Sequence, residues 1–187
     1  MRIAVLTPTV PGREHLLAEC KEAVKAQTLQ PVEHLVELDR NFSERVGLIL
    51  NEMAQRTDCE WLAPFADDDL MLPEHLLTLA ARSDGADVVH SRCEVTGRGG
   101  WQPDYASEIP GNALIRRSLW EKLGGWPNSA RAEDRDFWLR AKKKGARFVF
   151  VDEVTWVYRF GLDANKSLLA SHHSFREAHE AANRVHD

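Results

Sequence analysis

Apolar residues along the first half of the chain fall into two alternating rhythms. Short unbroken runs, RIAVLTPTV (2–10), VEHLVEL (32–38) and EWLAPF (60–65), have the length and side-chain shape of buried strands. Between them the apolar positions recur at helical spacing. EHLLAECKEAVKAQ sets Leu16, Leu17, Cys20, Ala23 and Val24 on one stripe. ERVGLILNEMAQR does the same with Val46, Leu50 and Met53, with Ser43 as a candidate cap. EHLLTLAAR follows Pro73, a residue suited to a first helical turn. Strand alternating with helix predicts an α/β fold with a mainly parallel sheet flanked by helices.

After Asp87-Val88-Val89 the rhythm changes. GRGGWQPDYASEIPG (97–111) is Gly- and Pro-rich and reads as a long loop, a feature that compact domains often keep for function. RRSLWEKLGG predicts a short helix with a glycine stop, and EDRDFWLRAKKKG a longer one. RFVFVDEVTWVYR reads as strand, and the polar stretch from Lys166 to the C-terminus as a closing helix. No internal repeat appears. The chain is expected to form one domain, with a strand–helix half over about 1–95 and a more irregular half over about 96–187.

Composition narrows the classes. At 187 residues, with 43% hydrophobic and 28% charged, the chain belongs with folded globular proteins. A net charge of −5 argues against broad binding to nucleic acid or anionic membranes. A local basic surface from Arg98, Arg116, Arg117 and Lys142 to Lys144 is the one candidate exception. Three cysteines without CxxC spacing indicate neither a zinc cluster nor a disulfide framework, which suits a reducing cytoplasm, the expected location. The N-terminal apolar run is too brief for a secretory signal, and no window approaches the roughly 20 apolar residues of a membrane span.

In open parallel sheets, ligands bind outside the carboxyl ends of the strands. Three groups are expected there: Thr7-Pro8-Thr9, Asp39, and the triplet Asp67-Asp68-Asp69. Three adjacent carboxylates repel one another unless water or a cation shares the charge. Their hard oxygens suit Mg²⁺ or Mn²⁺, particularly beside a diphosphate. The same triplet equally reads as a solvated acidic loop ahead of the helix at Pro73. A second acidic group, Glu133, Asp134 and Asp136, opens a predicted helix. There the macrodipole favours acids, and a positioned general base fits the same residues. Trp101, in the Gly-rich loop, is a candidate stacking platform.

Taken in order, these segments resemble glycosyltransferase family 2, the nucleotide-sugar-dependent transferases of GT-A fold. The resemblance runs from IAVLTPTVPGR through NEMAQRTDCEWLAPFADDDLMLPEHL to GNALIRRSLWEKLGGW, EDRDFWLRAKKKGARFVF and VYR. It implies a nucleoside-diphosphate sugar as donor, a UDP-sugar by family default, with Mn²⁺ or Mg²⁺ as cofactor. Asp67 and Asp69, or Asp68-Asp69, match the DxD motif, and the implied metal ligands are Asp69 and Asp67. Thr7, Pro8, Thr9, Asp39, Asn51, Asp67 and Asp68 would line the donor pocket. Glu133-Asp134 matches the family's ED motif, which makes Asp134 the implied catalytic base, with Asp136 next in line. The chain departs from the pattern at Ala66, at Leu50 and in FGLDANKS, which lacks a histidine that some relatives use on the metal.

An inverting transfer to an acceptor hydroxyl is therefore expected. The acceptor candidates are a saccharide, a protein side chain, a small hydroxylated metabolite or a hydroxymethylated DNA base. Two alternatives stand beside it. A sugar nucleotidyltransferase resembles its relatives in a Gly-rich basic loop after the first strand, where TPTVPGREH has one glycine. A non-catalytic nucleotide-sugar-binding module would not need both acidic groups.

Overall fold

A computed structural model describes residues 1–40, 45–97, 103, 111–128 and 133–160. The expected Ser43 cap, the 97–111 loop beyond Pro103 and Gly111, Trp101, and the closing helix lie outside the described residues. In chain order the elements are β1 (Ile3–Thr9), α1 (Glu14–Lys25), β2 (Glu33–Leu38), α2 (Val46–Gln55), β3 (Trp61–Pro64), β4 (Leu70–Met71), α3 (His75–Ala80), β5 (Val88–Gly97), β6 (Leu114–Arg116), α4 (Arg117–Leu123), α5 (Glu133–Lys143) and β7 (Phe148–Phe160). Among the described residues, no helix is long and apolar enough to cross a membrane.

Seven strands form one sheet in the order β2-β1-β3-β6-β5-β7-β4. The expected parallel pairing holds in the first half, where β1 lies between β2 and β3. Beyond β3 the sheet is mixed: β6 runs antiparallel to β3 and β5, β7 is parallel to β5, and β4 is antiparallel to β7. An antiparallel neighbour such as β6 beside β5 does not require the crossover that a parallel strand needs.

The sheet carries a core on each face. One gathers Leu50, Met53, Trp120, Trp126, Phe137 and Trp138 from α2, α4, α5 and their connections. The other gathers Cys20, Val24, Trp61, Phe65, Leu76, Leu79 and Trp156. The helical stripes read from the sequence point into these cores: Leu16, Cys20 and Val24 are the buried residues of α1, and Leu50 and Met53 lie in α2. All three cysteines are buried and free.

Two glycines set how closely α2 and the segment after α4 approach. A Cβ on Gly47 of α2 would stand 2.4 Å from the Pro127 carbonyl oxygen and 3.3 Å from the Glu133 Cβ. Gly125 adopts a φ of 83°, and a Cβ there would lie 2.4 Å from Asn51 Oδ1. These contacts bring the start of α5, with its acids, against the N-terminal half of the fold.

Candidate active site

The carboxyl ends of β1, β2 and β3 gather the N-terminal candidates, with one shift. Thr7, Pro8 and Thr9 form the last turn of β1 itself rather than a loop beyond it. β3 pairs with β1 only as far as Leu6 opposite Pro64, so Pro8 costs no ladder bond on that side. Thr7 is buried, and its hydroxyl bonds His34 Nε2 at 3.0 Å. Burial, with Lys21 nearby, lowers the His34 pKa to about 4, so the ring is neutral at pH 7. Asp39 follows β2, half-buried, its backbone N–H donating to the Thr9 carbonyl at 2.8 Å.

The acidic triplet sits between β3 and β4, and its carboxylates are far from solvated. Asp67 is 1% exposed and Asp69 3% exposed. The Thr9 hydroxyl donates to Asp67 Oδ2 at 2.5 Å, while Arg13 Nη1 pairs with Oδ1 at 2.8 Å. Arg13 also pairs with Asp68 through Nη2. Arg13 stands at the N-cap position of α1, where a guanidinium has no acceptor to offer the helix, and its side chain crosses to the triplet. Among the described residues, the donors to the Asp69 carboxylate are neutral: Asn112 Nδ2 at 2.8 Å on Oδ2, and the Arg159 backbone N–H at 3.1 Å on Oδ1. The Arg159 side chain reaches back to the Asp68 carbonyl and to Glu19 on α1. Burial pushes the Asp69 carboxyl well above its usual range, with the Asp68 charge adding to it. Burial also raises Asp67, against the pull of Thr9 and Arg13. The Arg13 guanidinium thus shares charge for which the sequence left water or a cation as partners.

The second acidic group lies across Gly111–Asn112. While Asn112 binds Asp69, a Cβ on Gly111 would lie 3.7 Å from Asp134 Oδ2. Asp69, Asp68 and Asp134 all raise the half-buried Tyr158 hydroxyl pKa, after burial itself. Asp134 Oδ1 accepts the Arg135 backbone N–H at 2.6 Å. Burial raises Asp134, with the Asp136 charge adding, and raises Glu133 to about 7, with the Asp134 charge as its second cause. Asp136 is exposed, one turn round the helix.

Two of the expected groups have residues engaged within the fold. Asn51 is engaged in packing rather than turned to a nucleotide. Its Nδ2 donates to the Trp126 carbonyl at 2.9 Å, and its Oδ1 accepts from Trp120 Nε1 at 3.0 Å and the Trp126 backbone N–H at 2.8 Å. The amide thereby ties α2 to the segment after α4. The basic surface is also not assembled as expected. Arg116 binds Glu60 and the Ser83 and Ala86 carbonyls and stacks over Trp61, while Arg117 binds the Ala54 carbonyl and Glu121. Arg98 lies outside the described residues.

The donor set of the site bears on whether it can hold a divalent cation. Both Asp67 oxygens are engaged, one by the Thr9 hydroxyl and one by the charged Arg13 guanidinium, so a cation at Asp67 competes with a resident positive charge. Each Asp69 oxygen accepts one neutral donor and keeps a lone pair, and the Asp68 side chain beside it is 22% exposed. These carboxylates fit Mg²⁺ or Mn²⁺ that takes its other oxygens from a ligand. Among the described residues, the one trio of His, Cys, Asp and Glu side chains whose ligand atoms lie within 4.8 Å is Glu33, Asp58 and Cys59. There Asp58 is held by Arg2 at 2.6 and 3.0 Å.

Comparison with known proteins points one way. Residues 107–178 match the family described as Glycosyl transferase family group 2. Over 60 residues the chain is 42% identical to the probable glycosyltransferase YdaM of Bacillus subtilis (strain 168), covering 31% of this chain and 14% of YdaM. The fold matches TarS of S. aureus, residues 1–349, crystallised with UDP, at a TM-score of 0.71 and 17% identity over 85% of this chain. It also matches the mannosyltransferase PcManGT of Pyrobaculum calidifontis, in complex with GDP-Man and Mn²⁺, at 0.64 and 16% over 84%. Both sequence matches, each over part of the chain, are to glycosyltransferases, and the chain shares its fold with solved glycosyltransferase structures. Its sheet and helices are those of a GT-A domain. It spans 60% of the TarS structure, 56% of the PcManGT structure and far less of YdaM.

Sequence reasoning missed Arg13, Asn112 and Arg159 as members of this site.

Proposed function

We propose that the protein transfers a sugar from a nucleoside-diphosphate sugar, UDP-sugar favoured, to an acceptor hydroxyl with inversion. The observation that carries this reading is the approach of two acidic groups across Gly111–Asn112, with Asp69 on one side and Asp134 on the other. Donor complexes of structural neighbours, UDP-GlcNAc on TarS and GDP-Man with Mn²⁺ on PcManGT, support the donor class.

In this reading Asp69, with Asp68 beside it, would hold a divalent cation whose charge stabilises the departing diphosphate. Asn112 and the Arg159 backbone fix the Asp69 carboxylate. Thr7, Pro8, Thr9 and Asp39 edge the space for the nucleoside, and Asp39 takes a donor group of the base. Asp134 accepts the proton of the acceptor hydroxyl. As that oxygen bonds the anomeric carbon, the bond from this carbon to the phosphate oxygen breaks, and its electron pair leaves with the diphosphate. The raised Asp134 carboxyl strengthens it as a base, at the cost of a smaller ionised fraction at low pH. Glu133, raised by the same burial, keeps a second negative charge from building beside it below about pH 7.

The acceptor is a saccharide, a protein side chain, a small metabolite or a hydroxymethylated DNA base. The internal engagement of Arg116 and Arg117 weighs against DNA. Calorimetric titration of UDP, GDP, CDP and dTDP, each with and without Mn²⁺, tests the donor reading. Metal-dependent binding of one diphosphate is expected, and no binding to any of the four would sink it.

A further inference from the structure

We propose that Arg13 makes divalent-cation binding conditional on the diphosphate, by holding Asp67 and Asp68 as its own ion pairs while the donor is absent. This rests on the donor-site reading above. Arg13 is 9% exposed and bridges both carboxylates, so the triplet already contains a cation before any metal arrives. Among the described residues, Asp69 is the one member left to neutral donors. A metal approaching the free protein therefore meets one available carboxylate and must compete with a guanidinium for the next.

A second observation separates this arrangement from a purely structural ion pair. Among the described residues, Arg13 Nε and Arg159 Nη2 are buried without a hydrogen-bond partner, and they belong to the two guanidiniums that flank the triplet. Buried donors are costly to leave unmade, which marks the site as incomplete without an anionic ligand. A diphosphate supplies oxygens for these donors. It also supplies oxygens for the metal, so the guanidiniums gain a new partner as Asp68 turns to the cation. Because coupling between two ligands is reciprocal, Mn²⁺ and UDP must then strengthen each other's binding by the same factor. Arg13 is accordingly a specificity-determining residue: it disfavours a free cation and favours one that arrives with a diphosphate.

The test is a titration of Mn²⁺, read from the spin-resonance signal of the unbound ion, with wild type, Arg13→Gln and Arg13→Lys, each with and without UDP. Without UDP, Arg13→Gln is expected to bind Mn²⁺ about tenfold or more tighter than wild type, since freed carboxylates raise the ligand charge. The mutual enhancement with UDP shrinks by the same factor. Arg13→Lys, which keeps the charge, stays near wild type. Arg13→Gln that is folded by circular dichroism yet binds Mn²⁺ no better than wild type would overturn the proposal. If Arg13→Gln does not fold, Asp67→Asn decides. Unchanged Mn²⁺ affinity in the free protein is expected, and a loss matching that of Asp69→Asn would overturn it. Failure of UDP to bind wild type under any condition would count against the donor reading instead, and the UDP-free arm still reads Arg13.

Discussion

The acidic run and the Glu133–Asp134 pair approach each other across Gly111–Asn112, yet the protein balances their charge in opposite ways. Asp67 and Asp68 are paired with a resident guanidinium. Glu133 and Asp134 are half-buried, Asp134 accepts the Arg135 backbone N–H, and their carboxyls hold protons more firmly instead. Pairing with a cation pulls the Asp67 carboxyl down against the rise that burial imposes, which suits groups that meet a metal or a phosphate-bound cation. Compensation by a proton keeps a carboxyl basic, which suits a group that must take a proton. The difference separates a charge-holding side of the cleft from a proton-handling side.

The largest expected effect breaks the charge-holding side. Asp69→Asn should lower transfer by about 10²–10³-fold or more, the range seen when one group stabilising developing charge is removed. The metal-dependent part of UDP binding should vanish while any metal-independent part persists. Unchanged UDP affinity in saturating Mn²⁺ would remove Asp69 from the ligand set.

Next comes the proton-handling side. Asp134→Asn should lower kcat by about 10²–10⁴-fold while leaving UDP affinity at the wild-type value. Turnover at the wild-type rate would move the base elsewhere, with Asp136 next in line. A fall in UDP affinity as large as the fall in kcat would show that the two sides are not separate.

Much of this contrast was legible in the sequence, and the reason for the remainder is physical. Helices α1, α2 and α5 declare themselves because an amphipathic stripe repeats over three turns. Strands β4 and β6, of two and three residues, are too short to leave a period, so the antiparallel half of the sheet was invisible. The acids of the site were legible because they are adjacent in the chain. Their partners were not: Arg13 lies 55 residues from Asp68, and Arg159 lies 91. No local pattern encodes a pairing that only the sheet order creates. Asn51 illustrates the converse, since the family pattern marks the position while only packing reveals its partners.

A smaller effect is expected at Asn51, and it sharpens the boundary of the cleft. Asn51→Ala removes three hydrogen bonds and strands the Trp120 indole N–H and the Trp126 backbone groups. Stability should fall by about 1–3 kcal/mol, read from chemical denaturation, with UDP affinity preserved in the folded fraction. Preserved stability with weakened UDP binding would return Asn51 to the donor pocket.

The smallest effect concerns Glu133 and tests the protonated half of the comparison directly. Its carboxyl is raised from 4.5 to about 7 by burial first and by the Asp134 charge second. The folded protein therefore binds this proton more tightly than the unfolded chain does. By linkage, stability is highest below the unfolded value and falls as pH rises from about 4.5 through about 7. The buried histidines act in the opposite sense. His75 and His90, lowered by burial to about 3 and about 4, make the folded state gain stability as pH rises toward 6.5. The wild-type profile is the sum of the two, so the diagnostic quantity is a difference between proteins. Glu133→Gln removes the titrating group but keeps its shape, so its Tm relative to wild type should climb between pH 5 and pH 7.5 and then level off. A Tm difference that stays flat across that range would mean Glu133 is ionised in the folded state, and the pair would then need a cation just as the acidic run does.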